Sequence, residues 1–455
     1  MVRKTQKTNL NLRFAGIEFK SPIGVGAVGR PWGRNVTPEE HAEVLLKHVN
    51  AGAGYICIPT CGYVAEGTLD KLKETSRQEY KSAQSKPNQT RTMKIQTPVA
   101  PYGVEGLYLV NTPFWKDIKW VNNEAFVHSQ EVTKILTKKK PKDVRLIANL
   151  VGLSSLPDVY VDGARKWEEL GVDLLEINVA CPTPPAMEGA VEDFLNKRYP
   201  PRFQGALLGD HVDIVEEITK KVVKAVNIPV GVKMSPETGF PRIVDFARRI
   251  RDAGAKWIQV TNLAIAIAPP DIYNRGKPLW PFADGNAFGG ASGSFLRVQC
   301  YKDVAAIARF AKGIDIAAAG GLVIPEHVIE AMMLGARLTQ LCTGVIEQGR
   351  KLIRLCDDFL RKFMAEQGYQ TVEEIIGLGQ QYIKYNEDVD FMAGQVIAVT
   401  DELKCTGCGA CVDNICVARH FEKKVAKAKK DRCTGCGSCM LACQTDAIRL
   451  VQRQA

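Results

Sequence analysis

Residues 252–261, Asp-Ala-Gly-Ala-Lys-Trp-Ile-Gln-Val-Thr, join the end of one helical pattern to a short run of apolar and β-branched residues. Gly254 stands where a glycine commonly ends a helix, because glycine accepts the left-handed backbone there without a steric penalty. The same joint recurs at Gly52, Gly171 and Gly335, each shortly before another apolar run. This repeated joint predicts strands that alternate with helices around a parallel sheet.

Eight strand-like runs can be counted before the cysteine-rich end of the chain. They are Ile23–Val28, Tyr55–Thr60, Leu146–Val151, Leu174–Val179, Val230–Met234, Trp257–Thr261, Ile314–Ala319 and Leu338–Thr343. Eight strands with crossover helices favour a closed (β/α)8 TIM barrel, an α/β fold whose active sites lie at the carboxyl ends of the strands. An open parallel sheet is the alternative.

One glycine pattern has the spacing of a dinucleotide-binding loop: Gly24-Val-Gly-Ala-Val-Gly29 follows the first strand-like run. Such a loop must open a helix whose amino-terminal N–H groups hold the pyrophosphate. The next residues, Arg30-Pro-Trp-Gly33, do not fit the opening of that helix. We therefore predict no nicotinamide-nucleotide site here.

The chain has 455 residues, 45% of them hydrophobic, and a formal net charge of +10. Its basic start, Met1–Lys7, is followed by no apolar segment, and no run of about 18 apolar residues occurs, so we expect a cytoplasmic protein without a membrane span. Lysine and arginine are spread along the chain without interleaved aromatic residues. This spread favours acidic cofactors, substrates or protein partners over nucleic acid.

Fourteen cysteines occur, and eight of them fall into two runs near the end of the chain. The runs are Cys405-x2-Cys408-x2-Cys411-x4-Cys416 and Cys433-x2-Cys436-x2-Cys439-x3-Cys443. This spacing predicts two [4Fe–4S] clusters, in which the fourth cysteine of each run binds the other cluster. The first cluster would take Cys405, Cys408, Cys411 and Cys443, and the second would take Cys433, Cys436, Cys439 and Cys416. Paired zinc sites are the alternative, and Cys416 departs from the usual ferredoxin spacing.

A domain boundary is predicted near residue 395, which gives a barrel at 1–395 and a ferredoxin-like domain at 396–455. Residues 350–380 have an amphipathic helical pattern, and 386–399 resemble a connector. Residues 423–432 are strongly basic. They would form either a solvated loop or a docking surface for an acidic electron-transfer partner.

Catalytic residues are expected where the strand Leu175-Glu-Ile-Asn178 leads into Cys181-Pro182. Five further motifs follow other strands: Gly231-Val-Lys233-Met-Ser235-Pro, Val260-Thr-Asn262, Gly289-Gly-Ala-Ser-Gly293, Ala319-Gly-Gly321 and Cys342-Thr-Gly344. On these motifs the chain resembles the dihydroorotate/dihydropyrimidine dehydrogenase family over roughly residues 10–395. The order of barrel and double-cluster domain is similar to the C-terminal half of dihydropyrimidine dehydrogenases and to their separate bacterial catalytic subunits.

The resemblance implies an FMN site at the carboxyl ends of the strands. Lys233 would be the cation beside the flavin pyrimidine ring, and Cys181 would be the acid–base residue. The implied flavin contacts are Gly26 and Ala27 along the ring, Asn149, Asn178 and Thr261 as ring hydrogen-bond partners, and Gly293, Gly320, Gly321, Thr343 and Gly344 at the phosphate. Asn111, Asn178 and Asn262 would contact the substrate. Five other cysteines, at positions 57, 61, 300, 342 and 356, are expected to be buried filler residues.

The implied activity is that of an oxidoreductase acting on CH–CH donors, a dihydropyrimidine dehydrogenase that interconverts uracil or thymine and their dihydro forms. Thr112, Leu263 and Pro59 differ from the family pattern, so dihydroorotate or another cyclic enone is an alternative substrate. A pure electron-transfer subunit is a third possibility. The resemblance also implies a partner that binds FAD and NAD(P)H, in a homo-oligomer or heterotetramer. Residues 187–209 would form either a lid or a surface excursion.

Overall fold

A computed structural model describes much of the chain in two compact units, which divide after Gln380. The described residues are 8–27, 36–68, 70, 91–95, 107–111, 123–152, 156–180, 196, 208, 211–267, 269–278, 288–384, 386–388 and 396–453.

The strands of the described residues account for one barrel and several small antiparallel sheets. In chain order they are β1 (Leu12–Phe14), β2 (Ile17–Phe19), β3 (Ile23–Val25), β4 (Tyr55–Cys61), β5 (Arg91–Ile95), β6 (Leu107–Asn111), β7 (Arg145–Leu150), β8 (Leu174–Asn178), β9 (Val230–Lys233), β10 (Trp257–Val260), β11 (Ala264–Ile267), β12 (Pro270–Asp271), β13 (Lys277–Pro278), β14 (Phe288–Ser292), β15 (Asp315–Ala319), β16 (Leu338–Leu341), β17 (Val396–Thr400), β18 (Arg419–Glu422), β19 (Val425–Ala428) and β20 (Ile448–Gln452).

Most helices of the described residues alternate with the barrel strands, and the last one lies in the second unit. They are α1 (Pro38–Asn50), α2 (Asn123–Lys139), α3 (Asp158–Glu169), α4 (Val212–Ala225), α5 (Arg242–Asp252), α6 (Arg297–Phe310), α7 (Pro325–Met333), α8 (Thr343–Gln348), α9 (Lys351–Gln367) and α10 (Ser438–Leu441). The amphipathic pattern of residues 350–380 thus contains α9, followed by short 3-10 turns at Val372–Glu374 and Leu378–Tyr382.

The predicted barrel is confirmed. Strands β3, β4, β7, β8, β9, β10, β15 and β16 pair in parallel and close into a ring, which excludes the open sheet. Each of the eight predicted runs overlaps one barrel strand, although β4 and β7 extend one residue beyond their runs, and pairing of β16 with β3 closes the ring. The glycine joints are also confirmed, because Gly52, Gly171, Gly254 and Gly335 all have φ between 73° and 122°.

The hairpin of β1 and β2 covers the amino-terminal end of the barrel. Phe14 packs edge-on against Trp257 at 5.4 Å, and Phe19 packs against Tyr55 at 5.6 Å. Trp257 and Tyr55 are the first residues of their strands and are fully buried. The apolar hairpin therefore closes one end of the barrel and leaves the carboxyl ends of the strands for chemistry.

A four-stranded antiparallel sheet, in the order β11-β14-β6-β5, branches from the carboxyl-end side of the barrel. Strand β11 begins two residues after Asn262, and β14 ends directly before Gly293. The sheet therefore connects to two of the motifs that carry the family resemblance.

The second unit contains two antiparallel pairs, β17 with β20 and β18 with β19. Its small core is built around Cys411, Cys433 and Cys439 together with Ile397 and Ile448. The basic stretch at 423–432 begins at the β18–β19 turn, where Lys423 and Lys424 have φ of 47° and 68°. Among the described residues, no helix combines the length and apolar character needed to cross a bilayer.

Candidate active site and cluster loops

Two predicted flavin contacts meet at the carboxyl ends of neighbouring strands. Asn178 ends β8, and its Nδ2 donates to Oδ1 of Asn149 on β7 at 3.0 Å. Thr60, near the end of β4, donates its hydroxyl to the same oxygen. Asn149 and Asn178 are almost completely buried. Adjacent strand ends thus fix the two amides in one orientation.

Glu176 lies beneath these amides and was not predicted as a functional residue. It is fully buried, and its carboxylate accepts hydrogen bonds from Nδ2 of Asn149 and from Nε2 of Gln340, the latter at 3.3 Å. Its Oε1 lies 3.9 Å from Nζ of Lys233. Burial raises the pKa of Glu176, while the charge of Lys233 and the two amide donors act in the opposite direction. The ion pair places a buried cation at the end of β9, where the sequence predicts it.

The residue before Cys181 is held by two of the predicted site residues. The backbone N–H of Ala180 donates to Oδ1 of Asn178 at 3.1 Å, and Nδ2 of Asn262 donates to the Ala180 carbonyl at 2.5 Å. Cys181 itself lies outside the described residues. The structure therefore brings Asn178 and Asn262 together around the chain that leads to Cys181.

The glycines expected at the flavin phosphate also converge. A Cβ on Gly321 would stand 2.5 Å from the backbone nitrogen of Arg297, so only glycine allows the turn after β15 to approach the start of α6 this closely. The hydroxyl of Thr343 donates to Oγ of Ser292, next to Gly293, at 3.0 Å. Three segments that lie far apart in the sequence thus meet late in the barrel, where TIM barrels commonly bind phosphate.

The chemistry of these residues fits FMN. Lys233 supplies a buried positive charge, which suits a ring that gains negative charge on reduction. Oε1 of Gln340 is buried and has no hydrogen-bond partner within the described ranges, so an acceptor is available to a ligand N–H. A Cβ on Gly26 would lie 3.2 Å from this oxygen. Thr261 is buried at the end of β10.

Asn111 ends β6, and its backbone pairs with Arg91, but its side chain lies outside the described residues. Residues 187–209 are also outside them, apart from Asn196 and Leu208.

Five further cysteines lie among the described residues of the first unit. Cys57, Cys61, Cys300 and Cys356 are buried as predicted, whereas Cys342 is half-buried. Burial raises the pKa of the Cys57 and Cys300 thiols, and it raises that of Cys356 to about 12. A thiol that stays protonated is a poor nucleophile and a poor proton donor at neutral pH.

The two cysteine runs share one backbone pattern. Gly407 and Gly409 of the first run have φ of 68° and 86°, and Gly435 and Gly437 of the second have φ of 69° and 79°. Residues with side chains are strained at these angles, so each loop depends on its glycines to curl the chain. The sequence repeat is therefore also a structural repeat.

Four cysteines surround one pocket in the second unit: Cys405, Cys408, Cys411 and Cys443 line it. These four are the ligands predicted for the first cluster, including Cys443, which comes from the second cysteine run. The Cys443 sulfur accepts from the backbone N–H of Ala447 at 3.2 Å. No three His, Cys, Asp or Glu side chains in the described part of the chain lie close enough to hold a single metal ion.

Three of the four cysteines predicted for the second cluster belong to or contact the same small core. Cys433 and Cys439 are buried in it, Cys416 packs against it, and Cys436 is exposed. The sulfur of Cys433 accepts from the backbone N–H of Ala398 at 3.4 Å. Burial raises the pKa of Cys439. The charge of Arg419 lowers this pKa, whereas the nearby Cys416 and Cys433 raise it further. Cys416 is therefore in electrostatic range of the second run.

Residues 121–364, more than half of the chain, match the family described as dihydroorotate dehydrogenase. The chain belongs to this family. The match includes β7 to β16 and therefore Asn149, Lys233 and the late glycines. Members of the family are flavin enzymes that use FMN. Residues 428–449 match a 4Fe–4S binding domain, which contains the second cysteine run.

Two curated relatives illustrate the range of the family. The chain is 29% identical over 253 residues to "Dihydroorotate dehydrogenase B (NAD(+)), catalytic subunit" from Methanocaldococcus jannaschii, which covers 55% of this chain and 72% of the relative. It is 26% identical over 280 residues to "NAD-dependent dihydropyrimidine dehydrogenase subunit PreA" from Escherichia coli, covering 60% of this chain and 62% of the relative. Family and cluster motif together make the chain an iron–sulfur flavoprotein oxidoreductase.

Sequence reasoning missed Glu176, Gln340 and Thr60 in this dehydrogenase barrel. A signal existed for Glu176, since it is the single charged residue in the apolar strand Leu174–Asn178. Such a residue is buried only when partners satisfy it, and the partners come from three other strands. They could not be identified from the spacing alone.

Proposed function

We propose that the chain is the catalytic subunit of a dihydropyrimidine dehydrogenase, which reduces uracil or thymine to the 5,6-dihydro form or catalyses the reverse reaction. The catalytic domain would be residues 1–395 and the electron-transfer domain residues 396–455. The observation that carries the proposal is the buried Lys233–Glu176 pair beside the amides that hold the chain before Cys181.

FMN bound at this site would supply hydride exchange with one carbon of the substrate double bond. The chain's own contribution is then positioning and proton transfer. Asn178 and Asn262 fix Ala180, and the next residue, Cys181, exchanges a proton with the neighbouring carbon. In the reducing direction the thiol gives its proton to that carbon, and in the oxidising direction the thiolate removes it. Lys233 stabilises the negative charge of the reduced cofactor.

Electrons would pass between this site and a partner through two clusters. The shared glycine geometry of the two loops and the Cys405-Cys408-Cys411-Cys443 pocket support two sites, although the 4Fe–4S match contains only the second cysteine run. All eight cysteines would be ligands. A subunit that binds FAD and NAD(P)H would exchange electrons with the clusters.

Dihydroorotate oxidation is the second candidate. The similarity to the Methanocaldococcus jannaschii protein, which extends over 72% of that protein, favours it. The two reactions differ in whether the substrate ring carries a carboxylate. A site that binds dihydroorotate needs a positive or hydrogen-bonding partner for that group.

Anaerobic turnover with a panel of pyrimidines decides between them. The cluster-loaded protein is mixed with reduced or oxidised viologen dye and with uracil, thymine, dihydrouracil, dihydroorotate or orotate, and products are followed by chromatography. We expect turnover of the uracil and dihydrouracil pair. Turnover of dihydroorotate alone would assign the second function, and a flavin that responds to none of these substrates would contradict both.

A further inference from the structure

Arg419 is a buried cation in the ferredoxin-like unit. It begins β18 and is 5% exposed. One nitrogen, Nη2, makes all the hydrogen bonds of its side chain in the described residues. It donates to the Ala426 carbonyl at 2.8 Å, to the Thr400 hydroxyl at 3.0 Å and to the Cys411 sulfur at 3.5 Å.

Within the described residues, the other two nitrogens of the guanidinium group make no hydrogen bond. Nε and Nη1 are buried and have no hydrogen-bond partner in the described part of the chain, and no carboxylate there forms an ion pair with Arg419. A buried charged donor without a partner costs several kcal/mol, roughly, so native proteins rarely retain one. The site therefore calls for an anion with acceptor atoms.

The position of Arg419 identifies that anion. Arg419 lines the pocket formed by Cys405, Cys408, Cys411 and Cys443. A [4Fe–4S] cluster with four thiolates is anionic, and its sulfurs accept hydrogen bonds. One-electron reduction adds a further negative charge, which a nearby cation stabilises in a medium of low dielectric constant.

We propose that Arg419 is a positioning residue that donates hydrogen bonds to the cluster in this pocket and holds its midpoint potential above the value it would otherwise have. The proposal rests on the two-cluster assignment made under the proposed function. Nη2 has a structural role, because it ties β18 to β19 and to Thr400, whereas Nε and Nη1 have none. Because Nε and Nη1 make no structural hydrogen bond in the described residues, they are the donors expected to bind the cluster.

The test compares full-length protein with Arg419→Met, Arg419→Lys and Arg449→Met variants. Arg449 is an exposed residue of β20, so its substitution removes the same charge from the same unit at the surface. Iron, acid-labile sulfide and flavin are counted first. Cluster potentials are then measured by anaerobic redox titration followed by electron paramagnetic resonance.

We expect the potential of the cluster in this pocket to become more negative in Arg419→Met, and by more than the potential of the other cluster, whose proposed ligand Cys439 also experiences the charge of Arg419. Arg419→Lys, which keeps the charge but loses the planar donor group, should give a smaller negative shift. Arg449→Met should leave both potentials unchanged, because solvent and salt screen an exposed charge.

Two results would overturn the proposed role: full cluster loading in Arg419→Met with both potentials unmoved, or an equal shift in Arg449→Met. Loss of iron from both Arg419 variants would show that Arg419 is needed for folding of the unit, and it would also overturn the proposed effect on the cluster potential. Failure of the two-cluster assignment looks different. In that case the unsubstituted protein itself would show only one [4Fe–4S] signal, and failure of the substrate assignment would show as absent pyrimidine turnover with both signals present.

Discussion

Lys233 and Glu176 depend on each other because both are buried at the barrel centre. Removing the cation in Lys233→Met leaves a buried carboxylate without its ion-pair partner and removes the charge that stabilises reduced flavin. We expect turnover to fall by about 10²–10³-fold, the usual cost of losing one electrostatic stabiliser, and the flavin potential to become more negative.

Lys220→Met serves as the control for this prediction, since the side chain of Lys220 is 52% exposed on α4. Flavin content, flavin potential and turnover are measured for each variant. The double variant Lys233→Met/Glu176→Gln neutralises both charges and should bind flavin without recovering the rate. Turnover within a factor of two of the unsubstituted enzyme in Lys233→Met would contradict the assigned role.

Cys181 is the residue on which proton transfer would depend. Cys181→Ala should lower substrate turnover by ~10²–10⁴-fold, while an artificial donor still reduces the flavin at its normal rate. Cys356→Ala, at a buried position in α9, controls for loss of a thiol elsewhere. Unchanged substrate turnover in Cys181→Ala would rule out this residue and favour a chain that only transfers electrons.

Helix α1 carries a titrating group whose protonation opposes folding. His48 is 8% exposed and its Nδ1 has no hydrogen-bond partner among the described residues. Burial, with a smaller effect of Arg350, lowers the pKa of His48 to about 4. The folded pKa lies below the unfolded value of about 6.5, so this histidine takes up a proton more readily in the unfolded chain.

Stability should therefore be lost as pH falls from about 6.5 towards 4, and it should be fully present above that window. Relative to His48→Gln, the unsubstituted protein should lose about 2 kcal/mol of unfolding free energy between pH 7 and pH 5. Urea unfolding of both proteins, followed by tryptophan fluorescence at the two pH values, measures the difference. An identical pH dependence of the two proteins would show that His48 is not the responsible group.

The chain as a whole is expected to need a partner for pyridine nucleotides. The only dinucleotide-like pattern predicted from the sequence, Gly24 to Gly29, is followed by Arg30-Pro-Trp-Gly33, which does not fit the opening of a phosphate-binding helix. We expect anaerobic protein with about eight irons and one FMN to be reduced by a viologen dye and to resist NADH and NADPH. The flavin absorbance after mixing is the measurement, and rapid reduction by either nucleotide alone would remove the need for a partner.

The barrel was predictable because its signals are local. Each strand-like run and each terminal glycine, such as Gly254, is specified within about ten residues, and the barrel follows from repeating one joint. The cysteine runs are equally local, because in the proposed clusters one loop would supply three of the four ligands. The strand ends were less certain: the run predicted at Ile23–Val28 contains a strand of only Ile23–Val25.

Contacts between distant segments were decided by the tertiary structure alone. The antiparallel sheet joins β6 to β14, which are far apart in the chain, and no local pattern specifies that pairing. Likewise, Glu176 obtains its partners from β7, β9 and β16. Arg419 lies in a cysteine-lined pocket only because the loops fold around it. The sequence determined which chemical groups the protein carries, whereas burial and long-range packing determined which of them act together.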